Sequence, residues 1–285
     1  MIYKTFVTLN AGYIDPAIVA LTSYLRYNAQ LGEVCIYAEA GTNCRQLRRA
    51  LRGYPVEIRE VELPQLPEHA HVRNKYGDLF FMRESLPAFA QRIKALEELR
   101  NEADVIINLD LDTITTGGIA PLLPRAERGV VLGVSERKNR DRWIRGLGVR
   151  DIVQNPNYIN TGFAIYGADA IPADIFQRYR EFLKDHGPDL YCPEQDFINY
   201  ALADRIVNIP EGYNLMYTSE AYTSAAPVMI HFLGSAKPWN PSPEHPAKAA
   251  YYIRRYLREA ERCRGLVSDE FLERVAEAAD LPKFC

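Results

Sequence analysis

The chain has no Cys-x-x-Cys pair. Its five cysteines, Cys35, Cys44, Cys192, Cys263 and Cys285, stand in unrelated contexts, which argues against a zinc site or a disulfide framework and leaves buried or incidental thiols. It has no excess of one charge either. Lys and Arg total 34 and Asp and Glu 37, interspersed along 285 residues with a net charge of −3, so no basic footprint for nucleic acid exists. No apolar run approaches the ~20 residues needed to cross a bilayer. The opening residues 1–9 already read as strand, without a charged region followed by an apolar one, so a cytoplasmic protein is expected. Low-complexity tracts and internal repeats are absent. With 47% hydrophobic residues the chain can bury a sizeable core, and the expectation is a catalytic domain over residues 1–240 and a C-terminal helical extension over 241–285.

What is present is an alternation of strand and helix signals. Residues 5–9 read as strand and 16–27 as helix, with Asp15 as N-cap and Pro16 at the first helical position. Strand 33–38, helix 43–52 and strand 56–61 follow, and helix 84–100 leads into a further strand. This β-α-β-α-β order implies a parallel sheet with right-handed crossovers. Farther on, 129–135 and 158–166 read as strands joined by a charged connection, 136–150, that carries Trp143. Residues 173–184 and 194–203 read as helices, and 205–209 and 228–233 as strands. Pro238, Pro241, Pro243 and Pro246 punctuate a rigid turn segment, and two amphipathic helices close the chain from residue 247.

The most informative stretch is residues 105–114, V-I-I-N-L-D-L-D-T-I. It reads as a continuous buried strand that delivers Asp110 and Asp112 at its carboxyl end, where α/β sheets bind ligands. Residues two apart in a strand share a face, so both carboxylates address one point while Leu111 faces protein. Paired hard oxygen donors suit Mg²⁺ or Mn²⁺ with positions left for water and phosphate oxygens. Two solvated aspartates in a turn are the other reading of D-x-D. His69 and His71 sit in a Pro-rich, exposed loop, 63–76, where solvated side chains are the simpler assignment.

Four segments resemble the family-eight retaining glycosyltransferases of the GT-A fold, the group containing glycogenin and bacterial lipopolysaccharide galactosyltransferases. They are F-V-T-L-N-A-G-Y at 6–13, N-L-D-L-D-T at 108–113, Y-I-N-T-G-F-A-I-Y at 158–166 with P-E-Q-D-F-I-N at 193–199, and H-F-L-G-S-A-K-P-W at 231–239. The last is the most specific. The resemblance implies an α/β GT-A fold, with a Rossmann-like, mixed, mainly parallel sheet flanked by helices.

It also implies a site. Asp110, Asp112 and His231 would hold the metal, and the imidazole nitrogen suits Mn²⁺ better than Mg²⁺. Thr8, Asn10 and Tyr13 would cradle the uridine, Tyr13 against the base, although packing at a helix start is an ordinary role for that tyrosine. Lys94 resembles the family's basic residue near the diphosphate or donor sugar, with Arg92 as its competitor and a solvated helix face as the alternative for both. Leu111, Asn160, Thr161, Gly234 and Lys237 complete the nucleotide-sugar contacts. Gly234 permits close backbone approach and Lys237 is a point charge for phosphate oxygens. Asn160, Thr161 and Gly162 match the family's F-N-x-G, with Ile159 in place of an aromatic. Glu194, Gln195 and Asp196 match its D-Q-x, with Glu194 one methylene longer than the usual aspartate, so the sugar stays open. Glu136 matches an acidic position near the sugar. The catalytic set is Gln195, Glu194 and Lys237.

The implied activity is metal-dependent, retaining transfer of a hexose from a UDP-sugar, of UDP-glucose or UDP-galactose type, to a saccharide, lipid-linked or protein acceptor. Two other classes stay open. One is a catalytically silent UDP-sugar-binding protein; the other is a metal-dependent nucleotidyltransferase or phosphohydrolase, for which N-A-G-Y is a poor phosphate loop. The segment 251–264, rich in Tyr and Arg, reads either as a basic amphipathic helix that touches anionic lipid at the membrane periphery or as a packed helix with solvated arginines.

Overall fold

The computed structural model describes residues 1–72, 85–147, 151–217, 226–234, 237–240 and 249–280. Its first half alternates as the sequence implies: β1 (Tyr3–Leu9), α1 (Ile14–Asn28), β2 (Glu33–Glu39), α2 (Arg45–Ala50), β3 (Val56–Val61), α3 (Leu86–Leu99) and β4 (Val105–Leu109). Next come β5 (Thr113–Thr115), α4 (Leu123–Ala126), β6 (Val131–Ser135), α5 (Arg137–Leu147) and β7 (Ile159–Gly167). The chain continues through α6 (Ile175–His186), α7 (Pro193–Ala201), β8 (Ile206–Asn208), β9 (Leu215–Met216), β10 (Met229–His231), α8 (Ala249–Arg262) and α9 (Asp269–Asp280).

Seven strands form one sheet in the order β3-β2-β1-β4-β7-β6-β8. All neighbouring pairs are parallel except those of β7, which runs antiparallel to both β4 and β6. The sheet is therefore mixed and mainly parallel, as expected. Burial on both faces explains the apolar runs: Val105, Ile107 and Leu109 of β4 join a core with α1, α8 and α9, while Ile106 points to a second core with α3, α6 and α7.

Local expectations are corrected at three places. Residues 105–114 are not one strand: β4 stops at Leu109, the chain turns, and Thr113 starts β5 in a separate three-stranded sheet ordered β5-β10-β9. The charged connection 136–150 contains helix α5, whose Arg140 is fully buried and stacks 4.8 Å from the Tyr158 ring centroid. Helix α1 starts before Asp15, so Asp15 lies in its first turn and Pro16 is not its first residue. The Asp15 carboxylate instead accepts from the Ser268 hydroxyl at 2.6 Å and backbone N–H at 3.2 Å, tying α1 to the turn ahead of α9. Of the turn prolines, Pro241, Pro243 and Pro246 lie outside the described residues, as does Cys285.

The closing helices share the main core. Tyr256 of α8 is fully buried, with ring centroids 5.2 Å from Phe232 and 5.5 Å from Trp239. Its packing holds the segment that follows β10. Tyr256→Ala is expected to cost ~3–5 kcal/mol, as for other large buried aromatics, and to lower the melting temperature in a thermal scan by roughly 10 °C.

Candidate active site

The turn after β4 is clamped by hydrogen bonds from three directions. Asp110 N–H donates to the Gly162 carbonyl at 2.7 Å, Phe232 N–H to the Asp112 carbonyl at 2.9 Å, and the Thr113 hydroxyl to the Asp110 carbonyl at 2.7 Å. This turn, not the pleat of a strand, brings the two carboxylates to one side. Leu111 between them packs into the core, as expected, and so offers a ligand only its backbone. Antiparallel pairing of His231 with Thr113 sets the imidazole over the turn. His231 Nε2 lies 3.1 Å from Asp112 and 3.7 Å from Asp110, and donor atoms of all three residues fall within 4.8 Å of one another.

Two cations balance the carboxylates. Arg92 of α3 pairs with Asp110 at 2.5 Å, and Lys237 pairs with Asp112 while also donating to the Phe232 carbonyl at 2.7 Å. Burial opposes ionisation of Asp112, but Lys237 and His231 outweigh it and hold its carboxyl well below the usual range. Burial likewise disfavours the Lys237 ammonium, and Asp112 more than offsets that, raising its pKa.

Beside this cluster lies a buried polar network. Asn160 Nδ2 donates to Glu136 at 2.9 Å and to Gln195 Oε1 at 3.0 Å; Gln195 Nε2 donates to Glu136 at 2.9 Å and to the Tyr158 hydroxyl at 3.0 Å. The Thr161 hydroxyl donates to Glu194 at 3.0 Å. Asp196 serves its own helix: its carboxylate accepts from the Tyr191 and Cys192 N–H groups ahead of α7 and from the Tyr158 hydroxyl.

The structure thus joins Asp110, Asp112, His231, Lys237, Asn160, Thr161, Glu136, Glu194 and Gln195. Thr8 meets this group through Arg92, whose Nε lies 3.4 Å from its hydroxyl. On α3 it is Arg92 that reaches the carboxylates. Lys94 is about 200° round the helix from it and pairs with none of the site's carboxylates. Asn10 accepts from Gly12 N–H at 3.1 Å and so caps the turn Ala11–Tyr13. Tyr13 is partly buried, edge-on to Trp239 at 5.8 Å. Gly234 has φ +78, a conformation that suits glycine, with open space where a side chain would point. Asn214 and Arg140 belong to the assembly without any motif having marked them, and Tyr158, which opens the 158–166 motif, joins it without having been assigned a role.

A family model, Glycosyl transferase family 8, matches residues 4–242. The chain belongs to this family. Among its relatives, General stress protein A of Bacillus subtilis (strain 168) is 22% identical over 219 residues, 70% of this chain and 72% of that protein. Lipopolysaccharide glucosyltransferase WaaO of Escherichia coli (strain K12) is 25% identical over 157 residues, 49% of this chain but only 45% of that enzyme. In fold, the chain is similar to the solved structure of the galactosyltransferase LgtC in complex with donor and acceptor sugar analogs, with TM-score 0.69 at 18% identity, over 93% of this chain and all of that one. Mixed sheet order and family together make this glycosyltransferase a GT-A protein.

The residues of this family-8 site fit a divalent cation. Two carboxylates and an imidazole converge, and a Cβ at residue 162 would stand 2.1 Å from His231 Cε1 and 2.9 Å from Asp110 Oδ2, so only glycine leaves the ligand atoms room. Gly162→Ala is expected to weaken Mn²⁺ binding at least ~10-fold in a calorimetric titration with the circular dichroism spectrum unchanged.

Glu194 carries the second prediction. Burial pushes its carboxyl up to about 7, against the pull of Arg92 at 3.8 Å and of the Thr161 hydroxyl. A raised acid favours the folded state by holding a proton there; that contribution is complete below 4.5 and is lost as the pH rises through about 7. Melting curves in EDTA should show Glu194→Gln gaining several degrees on the wild type between about pH 5 and pH 8.

Proposed function

We propose that this glycosyltransferase transfers a hexose from a UDP-sugar to an acceptor hydroxyl, with retention at the anomeric carbon and with a divalent cation, Mn²⁺ in preference to Mg²⁺. The observation that carries this reading is the convergence of Asp110, Asp112 and His231 beside the buried Glu136, Asn160 and Gln195 network. Asp110, Asp112 and His231 hold the cation, which when bound supplies positive charge to a departing diphosphate. Thr8, Asn10 and Tyr13 take the uridine, with Tyr13 against the base. Lys237 and Arg92, with Lys94 at the outer edge, meet the phosphates, and Gly234 lets the backbone come close.

The sugar lies toward Asn160, Thr161, Glu136, Glu194 and Gln195. As the bond from the anomeric carbon to phosphate oxygen breaks, its electron pair leaves with UDP, and the acceptor oxygen bonds to the same face of that carbon. The acceptor's proton passes to a leaving phosphate oxygen. Gln195 and Glu194 position the sugar and support positive charge at its anomeric carbon. Residues 1–240 carry this chemistry, while α8 and α9 of the 241–285 extension brace it and offer an acceptor-side surface. No described helix is long and apolar enough to cross a membrane. The exposed Tyr251, Arg254, Arg258 and Arg262 of α8 suit a peripheral contact with a lipid-linked saccharide, which would place the enzyme on the cytoplasmic side.

The test is UDP release from a panel of UDP-hexoses with Mn²⁺ or with EDTA. Release from one sugar is expected, falling at least ~100-fold with EDTA and in Asp112→Ala, and the released or transferred hexose should keep its anomeric configuration by NMR. Equal release with EDTA, or an inverted product, would overturn the reading.

A further inference from the structure

Asn214 is fully buried and immediately precedes β9, the strand that pairs with β10 so that Met216 lies opposite His231. Its amide touches both halves of the site. Asn214 Oδ1 lies 3.1 Å from His231 Nδ1, and its Nδ2 donates to Asn160 Oδ1 at 2.9 Å.

Amide and imidazole orientations are ambiguous one at a time, but backbone groups fix this set. The Gly162 N–H, which can only donate, points at Asn160 Oδ1 at 3.0 Å; the Thr161 N–H, likewise a donor, points at Gln195 Oε1 at 3.1 Å. Asn160 must therefore present oxygen toward Gly162 and Asn214, and nitrogen toward Gln195 and Glu136. Asn214, facing that oxygen, must present its nitrogen there and its oxygen to the imidazole. His231 then has to carry a proton on Nδ1. In the neutral ring, the Nε2 lone pair is left facing Asp110 and Asp112. Each link in this chain donates in one direction, from the imidazole toward the Glu136 carboxylate.

We infer that Asn214 is a positioning residue that locks His231 in the Nδ1–H tautomer and couples the cation site to the amide network on the sugar side. The inference rests on the metal-dependent reading above. A metal-bound histidine needs its other nitrogen held by an acceptor, and loss of such a partner typically weakens metal binding 10–100-fold. Here the acceptor is an amide whose other end is spoken for by the sugar-side asparagine. One residue thereby answers to both ligands.

Asn214→Ala and Asn214→Asp separate this role from simple core packing. Aspartate keeps an acceptor for His231 Nδ1–H but has no donor for Asn160; alanine removes both. The experiment titrates Mn²⁺ calorimetrically into wild type, both variants and Asp112→Ala in the presence of UDP, follows UDP release at saturating Mn²⁺, and checks folding by melting curves. Mn²⁺ affinity should fall about 10–100-fold in Asn214→Ala and stay within about threefold of wild type in Asn214→Asp. Release at saturating Mn²⁺ should fall at least ~10-fold in both. A merely structural asparagine would lower the melting temperature of both variants and leave the Mn²⁺ affinity of the folded protein unchanged, and that result overturns the inference. So does full release by Asn214→Asp. If wild type binds no Mn²⁺ and matches Asp112→Ala, the metal-dependent reading itself falls, and the coupling with it.

Discussion

Two carboxylates set side by side at the end of a buried strand need cations close by, and this requirement organises the site end of the molecule. Isolated buried charge is far too costly to tolerate, whereas paired and hydrogen-bonded charge is sustainable. Arg92 arrives from α3 on one face of the sheet and pairs with Asp110; Lys237 arrives from the segment after β10 and pairs with Asp112. Each pairing adds to the packing that already holds its element, α3 in the second core and the segment after β10 through Trp239 against Tyr256. A divalent cation placed among Asp110, Asp112 and His231 would take over part of this neutralisation and leave Lys237 and Arg92 available to the anionic oxygens of the proposed donor. The same two side chains thus suit the site with and without a ligand.

The polar network obeys the complementary constraint. Asn160, Gln195, Asn214 and Glu136 are all buried, and each has partners for its donors and acceptors. Such a network specifies one arrangement, because any flipped amide sets like against like. Its outer support is apolar and aromatic. Arg140 over Tyr158 backs Gln195, and Tyr256 with Phe232 and Trp239 backs the segment bearing Lys237. The closing helices belong to the same core as α1 and β4, so they carry mechanical load for the site even though they lie beyond the matched residues 4–242.

Much of this was legible in the sequence, for physical reasons. Strands buried on both faces announce themselves as apolar runs, and the alternation with helices dictates a parallel sheet; β1 to β4 follow from that alone. Residues 105–114 misled because a turn that packs Leu111 into the core has the same apolar pattern as a strand. Helix α5 was obscured because only Trp143, Ile144 and Leu147 of its eleven residues are large and apolar, and its buried Arg140 is held by Asp151 and Asp196, 11 and 56 positions further on. Asp110, Asp112, His231, Asn160 and Gln195 stood inside motifs. Asn214 did not: it follows a short turn, E-G-Y, and its importance comes only from tertiary contacts with residues 17 and 54 positions away. The choice between Arg92 and Lys94 was likewise undecidable without knowing which way α3 is rotated.

The surroundings of Glu194 bear on which route the proposed retaining transfer would take. A carboxylate nucleophile must be ionised, exposed toward the anomeric carbon and free of strong hydrogen bonds. Glu194 is buried, accepts from the Thr161 hydroxyl, and has its acid raised to about 7, so near neutrality a large share of it carries a proton. Gln195, an amide, is a poorer nucleophile still, and both its carbonyl and its nitrogen are engaged. Neither side chain is arranged for covalent capture. Both are arranged to present oxygen dipoles rigidly next to a cationic cluster, which is what a positively charged sugar carbon, formed beside a departing diphosphate, requires of its surroundings. Under the retaining transfer proposed above, this geometry would favour front-face attack, in which the acceptor replaces the leaving phosphate without a glycosyl-enzyme intermediate.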